Sequence, residues 1–167
     1  MKIETKRLIL HEIELNDIEQ LFSIYNKYEN MKFVSNGKSE WTKSEIIEKH
    51  YKANENYING IGILAVEVKG EKTIIGEAGL FNSFNNFSEL EIGYIIDSEY
   101  WNKGYGKEIC LGLINYAKDN LKAKSIIARM YANNVYSIKL SEKCGMKRIE
   151  SNFTKTNKEF LVYKINF

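Results

Sequence analysis

Proline is missing from this chain of 167 residues, and cysteine and histidine occur only twice each. Without proline, the ends of helices and strands have to be marked by glycine, asparagine and capping side chains. Cys110 and Cys144 show no C-x-x-C spacing, so we expect neither a disulfide framework nor a zinc site. We expect both to be packed thiols. His11 and His50 have no partner at metal or triad spacing and are expected to be structural or exposed.

Long apolar runs and an excess of one charge are also absent. No run approaches the roughly 18 residues that cross a bilayer, and residues 1–7 carry charge where a signal peptide is apolar. Lys and Arg number 24 and Asp and Glu 22, which gives a formal net charge of +2. This balance favours neither nucleic-acid nor membrane binding. We therefore expect a cytoplasmic protein without a nucleic-acid or membrane partner.

The chain does contain a regular succession of strand and helix patterns. Period-2 and period-3.6 hydrophobicity predicts about seven strands and about four helices. The predicted strands are 7–13, 61–68, 73–81, 88–96, 125–130, 147–153 and 159–166, and the helices 16–28, 42–57, 104–121 and 134–144. Asn16 is expected to cap the first helix, and Thr42 with Glu45 the second. With no linker or repeat, we expect one α+β domain over 1–167, a mixed sheet with helices on both faces.

The segment Trp101-Asn102-Lys103-Gly104-Tyr105-Gly106-Lys107 lies between a predicted strand and the third predicted helix. Such a junction exposes free backbone N–H groups at the positive end of the helix dipole. Gly104 and Gly106 allow the backbone to approach a ligand closely, and Lys103 and Lys107 add positive charge. Together these features indicate a pyrophosphate site.

Other phosphate-binding motifs fit this loop poorly. The P-loop pattern G-x-x-x-x-G-K-[ST] is missing, and Ile109 occupies the third glycine position of a dinucleotide fingerprint. The two glycines alone are also compatible with a tight turn that binds nothing.

Three motifs resemble the GNAT acetyltransferase superfamily, specifically its RimJ/RimL-type branch. The loop matches the pattern [Q/R]-x-x-G-x-[G/A], with Trp101 in place of Gln or Arg, an aromatic familiar in this branch. The other two motifs are the opening Thr5-Lys6-Arg7-Leu8-Ile9-Leu10 and Asn134-x-x-Ser137, which leads into Glu142-Lys143-Cys144-Gly145-Met146. Their order and spacing cover nearly the whole chain.

The resemblance implies a mostly antiparallel sheet that splays between its fourth and fifth strands, with the pantetheine of acetyl-CoA in the gap. The backbone of Tyr94, Ile95 and Ile96 would hold the pantetheine amides like an added strand. The implied cofactor-binding residues are Tyr94, Ile95, Ile96, Trp101, Asn102, Lys103, Gly104, Tyr105, Gly106, Lys107, Asn134 and Ser137. No metal is implied, and a homodimer is common among similar proteins.

Acetylation of an amine requires the amine to lose its proton, because a lysine side chain has a pKa near about 10.4 and an α-amine near about 7.7–8.0. A partly buried carboxylate is the natural acceptor. Strand alternation places Glu89 and Glu91 on one face, and Glu91 matches the E-I-G-Y stretch of the branch. We predict Glu91 as base or water-holder, with Glu77 as the alternative and Glu89 at the surface. Each could equally face solvent or pair with a lysine.

The leaving thiolate needs a proton donor. Many GNAT enzymes carry a tyrosine seven residues after the helix-starting asparagine, and this place is Ser141. The branch pattern offers Ser137 instead, while Asn134 would cap the helix and contact pantetheine. Ordinary helix capping would also explain both residue types.

The leading hypothesis is direct transfer of acetyl from acetyl-CoA to a primary amine in a ternary complex. The resemblance points to α-amines of protein N-termini, and small-molecule amines stay open. The alternatives are a non-catalytic acyl-CoA sensor with the same fold and an enzyme of nucleotides or phosphate esters that uses the same loop.

Overall fold

One open sheet of eight strands organises the structure, a computed structural model that describes residues 1–167. The strands are β1 (Lys2–Glu4), β2 (Leu8–Glu12), β3 (Gly62–Val68), β4 (Thr73–Phe81), β5 (Glu89–Ile96), β6 (Ser125–Tyr131), β7 (Lys147–Phe153) and β8 (Glu159–Asn166). Their spatial order is β1-β2-β3-β4-β5-β6-β8-β7. Only β5 and β6 run parallel to each other; all other neighbours are antiparallel.

Five helices cover the two faces of this sheet. They are α1 (Ile18–Tyr25), α2 (Tyr28–Met31), α3 (Lys43–Asn54), α4 (Tyr105–Asp119) and α5 (Val135–Lys143). A small hydrophobic cluster joins α1, α2 and α3 to one face through Ala65, Ile74 and Ile95. A larger cluster packs α4 against the other face. None of these helices is long and apolar enough to cross a membrane.

The mixed sheet with helices on both faces confirms the predicted fold class, and all seven predicted strands are present. The additional strand β1 has three residues, too few for alternation to be visible in the sequence. Cys110 and Cys144 are buried free thiols, as predicted.

The first predicted helix was wrong in two respects. Asn16 caps no helix; a short 3-10 turn, Leu15–Asp17, comes first, and the Asp17 carboxylate accepts from the Glu14 N–H at 2.8 Å. The helix also stops at Tyr25, because the Asn26 side chain donates to the Phe22 carbonyl at 3.0 Å and offers the backbone another partner. The second predicted helix ends at Asn54 rather than near 57.

The sheet splits between β5 and β6. The two strands pair only from Glu89 with Ser125 to Glu91 with Ile127, although β5 continues to Ile96 and β6 to Tyr131. This confirms the predicted opening between the fourth and fifth predicted strands. Beyond Glu91 the facing edges of the two strands diverge and form a cleft.

The capping box at the start of α3 yields a stability prediction. Thr42 Oγ1 accepts from the Glu45 N–H at 3.2 Å, and the Glu45 carboxylate accepts from the Thr42 N–H at 2.8 Å. Thr42→Ala should therefore lower the free energy of unfolding by about 1 kcal/mol in urea denaturation. Ser44→Ala, in the exposed first turn of the same helix, is the matched control. Equal effects of the two substitutions would contradict the role of Thr42.

Candidate active site

The loop that precedes α4 has the backbone shape its sequence predicts. Asn102 and Gly104 adopt left-handed conformations with φ of 60° and 82°, and Gly104 stands at the N-cap position without a side-chain cap. The backbone N–H groups of all residues from Asn102 to Lys107 donate to no acceptor within the chain. Six free donors at the positive end of a 15-residue helix have the geometry that can accept an anion. Lys103 and Lys107 are exposed beside it.

Arg7, just before β2, contacts this loop and the first turn of α4 through a hydrogen bond, an ion pair and a cation–π interaction. Its Nη1 donates to the Lys103 carbonyl at 3.0 Å, its Nε donates to Glu108 Oε2 at 2.7 Å, and its guanidinium lies 4.3 Å from the centre of the Tyr105 ring. The Thr5 hydroxyl donates to the same Glu108 carboxylate at 2.6 Å. Burial alone would raise the pKa of Glu108, but these hydrogen bonds outweigh it and the pKa lies below its ordinary value.

Sequence reasoning missed the roles of Arg7 and Glu108. The only signal was the opening Thr5-Lys6-Arg7 motif, which resemblance identified without giving it a physical task. Its partner, Glu108, lies 101 residues away from Arg7.

Trp101 lies on the opposite side of the loop and connects it to β5 and α5. Its indole N–H donates to the Ile96 carbonyl at 2.7 Å, and its ring centre lies 5.6 Å from that of Tyr136. Because this N–H is the only polar group of the side chain, Trp101 contributes to the loop through packing rather than a phosphate contact.

The β5 edge of the cleft presents backbone groups of alternate residues. The Asp97 N–H donates to the Ile75 carbonyl at 2.8 Å, and Ile95 lies opposite Glu77, so the backbone groups of Ile95 face β4. Those of Tyr94 and Ile96 face the cleft, where Trp101 already occupies the Ile96 carbonyl. The Ile95 side chain is buried on the α1–α3 face. Of the three predicted pantetheine residues, Tyr94 therefore has both backbone groups free toward the cleft, Ile96 only its N–H, and Ile95 neither.

A cavity of about 400 Å³ occupies the fork between β5 and β6. Residues from both faces of the sheet line it. Tyr94, Asn134 and Ser137 line it on the side of α5, and Lys49 and Glu77 line it on the side of α3. Its other lining residues are Phe33, Val34, Ser35, Ile63, Ala78, Gly79, Phe81, Ile92, Gly93, Ile95, Ala128, Arg129 and Met130. The cavity thus connects two chemically different sides of the sheet.

The α5 side of the cavity carries a hydroxyl pair. Asn134 caps α5, as predicted, by accepting from the Ser137 N–H at 3.3 Å. Burial raises the pKa of Tyr94, and the adjacent Ser137 hydroxyl opposes that effect. Ser141 is buried away from the cavity, with its hydroxyl 3.9 Å from the Met130 sulfur. Ser137 is therefore the serine of α5 that a ligand in the cavity can reach.

Glu91 is bound to Arg129 across the point where the strands part. Arg129 donates from Nε to Glu91 Oε1 at 2.8 Å and from Nη2 to Oε2 at 2.6 Å. The Ser83 hydroxyl donates to Oε2 as well, at 2.5 Å. Two residues earlier on β5, Glu89 accepts from the Ser125 hydroxyl at 2.8 Å and pairs with Lys164. Both strand glutamates therefore serve as anions that tie β5 to the other half of the sheet.

Glu77 belongs to a buried polar group on the α3 side. Its side chain is only 6% exposed; Oε1 accepts from Lys49 Nζ at 2.7 Å, and Oε2 lies 3.3 Å from His50 Nε2 without a hydrogen bond. Lys49 also contacts the Tyr25 hydroxyl. Burial alone would raise the pKa of Glu77, but the charge of Lys49 and contacts to His50 and Tyr25 lower it below its ordinary value.

The two predicted base candidates thus lie beside the fork, and each is already bound to a cation. Their partners come from 38 and 28 residues away in the chain, which strand alternation cannot reveal. The base role of Glu91 and Glu77 stays a prediction that these ion pairs disfavour. His50 is buried as a neighbour of Glu77, and no three His, Cys, Asp or Glu side chains are grouped closely enough to hold a metal ion.

The Lys49–Glu77 pair yields a second stability prediction. Lys49→Met leaves Glu77 buried without its cation, so the free energy of unfolding should fall by about 3–5 kcal/mol. Lys52→Met, on the exposed face of α3 where Lys52 pairs with Glu48, should cost less than about 1 kcal/mol. Urea denaturation at neutral pH measures both. Similar losses would show that Lys49 and Glu77 are not a buried pair in solution.

Comparison with known proteins gives a consistent assignment. Residues 7–147 match the sequence profile of the acetyltransferase (GNAT) domain family. The uncharacterised N-acetyltransferase YnaD of Bacillus subtilis strain 168 is 27% identical over 150 residues, which cover 89% of this chain and 84% of YnaD.

Solved structures agree on the fold. The GNAT-family acetyltransferase of Bacillus anthracis superposes with a TM-score of 0.87 at 24% identity, covering 99% of this chain and 98% of its own. RimL, a ribosomal-protein α-N-acetyltransferase solved with coenzyme A, superposes with a TM-score of 0.84 at 11% identity, covering 100% and 98%. Together with the split sheet and the loop of free N–H groups, the profile match shows that the chain belongs to the GNAT family of acyl-CoA-dependent acetyltransferases.

Proposed function

We propose that this protein transfers the acetyl group of acetyl-CoA to a primary amine by direct attack in a ternary complex. The observation that carries the proposal is the cavity through the fork of the sheet. It is lined by Tyr94 and Ser137, which carry hydroxyl groups, on one face of the sheet and by Lys49, Glu77 and Arg129 on the other. Two substrates that approach from opposite faces can meet there.

The cleft fits coenzyme A in its chemistry. The six free N–H groups from Asn102 to Lys107 match a pyrophosphate. The N–H and C=O of Tyr94 and the N–H of Ile96 are available to amides of a chain lying in the split, as in strand addition. Asn134 and Ser137 lie where the thioester end would follow. RimL, of similar fold, was solved with coenzyme A in place.

The groups near the cavity support direct transfer as the proposed mechanism. The amine nitrogen attacks the thioester carbonyl and the carbon–sulfur bond breaks. The nitrogen releases one proton, which restores the proton donor, and the thiolate takes up one proton from that donor. Ser137 is the proposed donor of that proton, with the Tyr94 hydroxyl beside it. An acetyl-enzyme on sulfur is disfavoured because Cys110 and Cys144 are both buried and neither lines the cavity.

The acceptor is proposed to be an α-amine of the kind found at protein N-termini. The support is the resemblance to the RimJ/RimL-type branch and the fold shared with RimL, which acts on a ribosomal protein. A small-molecule amine with the same reactive group would meet the same cavity.

A ligand screen tests the proposal against its alternatives. Acetyl-CoA and CoA should each raise the unfolding temperature, since a ligand at 100 times its Kd stabilises by about 2.7 kcal/mol. Thiol release from acetyl-CoA should then depend on an added amine. Stabilisation by acetyl-CoA without turnover on any amine would favour the sensor alternative. Stabilisation by ATP or NAD alone would favour a phosphate-ester enzyme.

Ser137→Ala tests the acid role. Loss of a positioned proton donor should lower kcat by about 10²-fold with little change in the KM for acetyl-CoA. Ser141→Ala is the matched control on the same helix, because its hydroxyl is buried against Met130. A larger loss of kcat with Ser141→Ala than with Ser137→Ala would reject the assignment.

A further inference from the structure

No carboxylate oxygen is free and accessible to an amine in the cavity. Both oxygens of Glu91 accept from Arg129, and Oε1 of Glu77 accepts from Lys49. The remaining oxygen, Glu77 Oε2, has no hydrogen-bond partner but is buried beyond the reach of solvent. An ammonium that enters the cavity therefore finds carboxylates whose charge is already balanced.

The cations that balance these carboxylates lie at the surface of the cavity. Lys49 and Arg129 both line it, with side chains 27% and 44% exposed. Arg129 uses its Nε and Nη2 on Glu91, and its Nη1 has no acceptor within the chain. Because each cation is already paired with a carboxylate, the two pairs offer an ammonium no net attraction to offset its loss of hydration, whereas a neutral amine has less hydration to lose.

The other titratable groups around Lys49 do not reverse this balance. The Tyr25 hydroxyl, from α1, is fully buried and in contact with Lys49, and burial raises its pKa further. His50 is 2% exposed, and burial lowers its pKa, which favours the neutral ring. Asp17 acts on His50 from beneath α1 and does not line the cavity. Around Arg129, only Glu91 bears an opposing charge in contact.

We propose that the cavity takes its acceptor as the unprotonated amine, because Lys49 and Arg129 neutralise the carboxylates that would otherwise bind an ammonium and remove its proton. This inference rests on the proposed function and gives a physical reason for its preference for α-amines. Selection then depends on how much free base an amine supplies at neutral pH.

Selection for the unprotonated form separates amines by their pKa. At pH 7 about one α-amine in ten is unprotonated, against about one lysine side chain in 2,500, from reference pKa values near 7.7–8.0 and 10.4. The acceptors favoured by the cavity are therefore α-amines such as peptide N-termini and amino-acid amides. Lysine side chains and polyamines are disfavoured.

The test uses the wild-type protein, acetyl-CoA and two probes of similar size, alanyl-alaninamide with a free α-amine and Nα-acetyl-lysinamide with a free ε-amine. We expect kcat/KM to rise about tenfold per pH unit up to the solution pKa of each probe. At pH 7 the α-amine probe should exceed the ε-amine probe by about 10²-fold or more. When kcat/KM is calculated per concentration of unprotonated amine, the pH profiles of the two probes should superpose.

Two variants test the part played by the cations. Lys49→Met frees Glu77, and Arg129→Gln frees Glu91, so either change should raise the ε-amine rate relative to the α-amine rate at pH 7 by about tenfold, which corresponds to about 1.4 kcal/mol. Lys52→Met removes the same charge outside the cavity and should leave the ratio unchanged. Arg129 is partly exposed, so its variant serves even where loss of Lys49 prevents folding. An unchanged ratio in the Arg129 variant overturns the role of the cations.

The outcomes separate this inference from the function on which it rests. If the pH profiles of kcat/KM for the two probes inflect at the same pH, the titrating group is a base on the enzyme. That result overturns the inference and leaves the proposed function intact. Equal rates for the two probes at pH 7 do the same. No transfer to either probe at any pH overturns the proposed function and the inference with it.

Discussion

The site depends on one structural event, the parting of β5 from β6 after three paired residues. Strand pairing that would otherwise continue from Glu91 stops there, and the gap between the two strands contains the cavity of about 400 Å³. The loop before α4, the hydroxyl groups of α5 and the Lys49–Glu77 pair beneath α3 all lie around this fork, which is why they can act on one ligand. If β5 and β6 were paired to the end of β6, the same residues would be present but the cleft between the strands would not.

Charge holds the fork in place. Glu89 pairs with Lys164 and Ser125 where the strands are still joined, and Glu91 pairs with Arg129 where they separate. These contacts bind the two halves of the sheet through side chains at the level where the backbone ladder ends. Strand alternation identified Glu89 and Glu91 as possible bases. In the folded protein they instead pair with Lys164 and Arg129 at the end of the β5–β6 ladder.

Local patterns predicted the features that need only local information. The Thr42–Glu45 cap, the Asn134 cap, the turn at Gly104 and seven strands follow from residues within a few positions of one another. The partners of Glu91, Glu77 and Glu108 lie 38, 28 and 101 residues away, and nothing in the periodicity of a strand identifies them. The same limit explains why Asn16 was chosen as a cap when a 3-10 turn intervened. The opening between β5 and β6 was predicted from family resemblance alone, because no sequence pattern within either strand indicates where their pairing stops.

The contact of Arg7 with the α4 loop has a consequence for how the site comes into being. Arg7 and Glu108 are separated by most of the chain, so their contact closes a long loop and forms only when β2 and α4 have docked on the same sheet. During synthesis, the segment that carries the free N–H groups emerges long after Arg7, and β6, α5, β7 and β8 are still to follow it. The loop that presents six free N–H groups is therefore held by Arg7 only in the folded domain, and an isolated strand–loop–helix fragment would lack that contact.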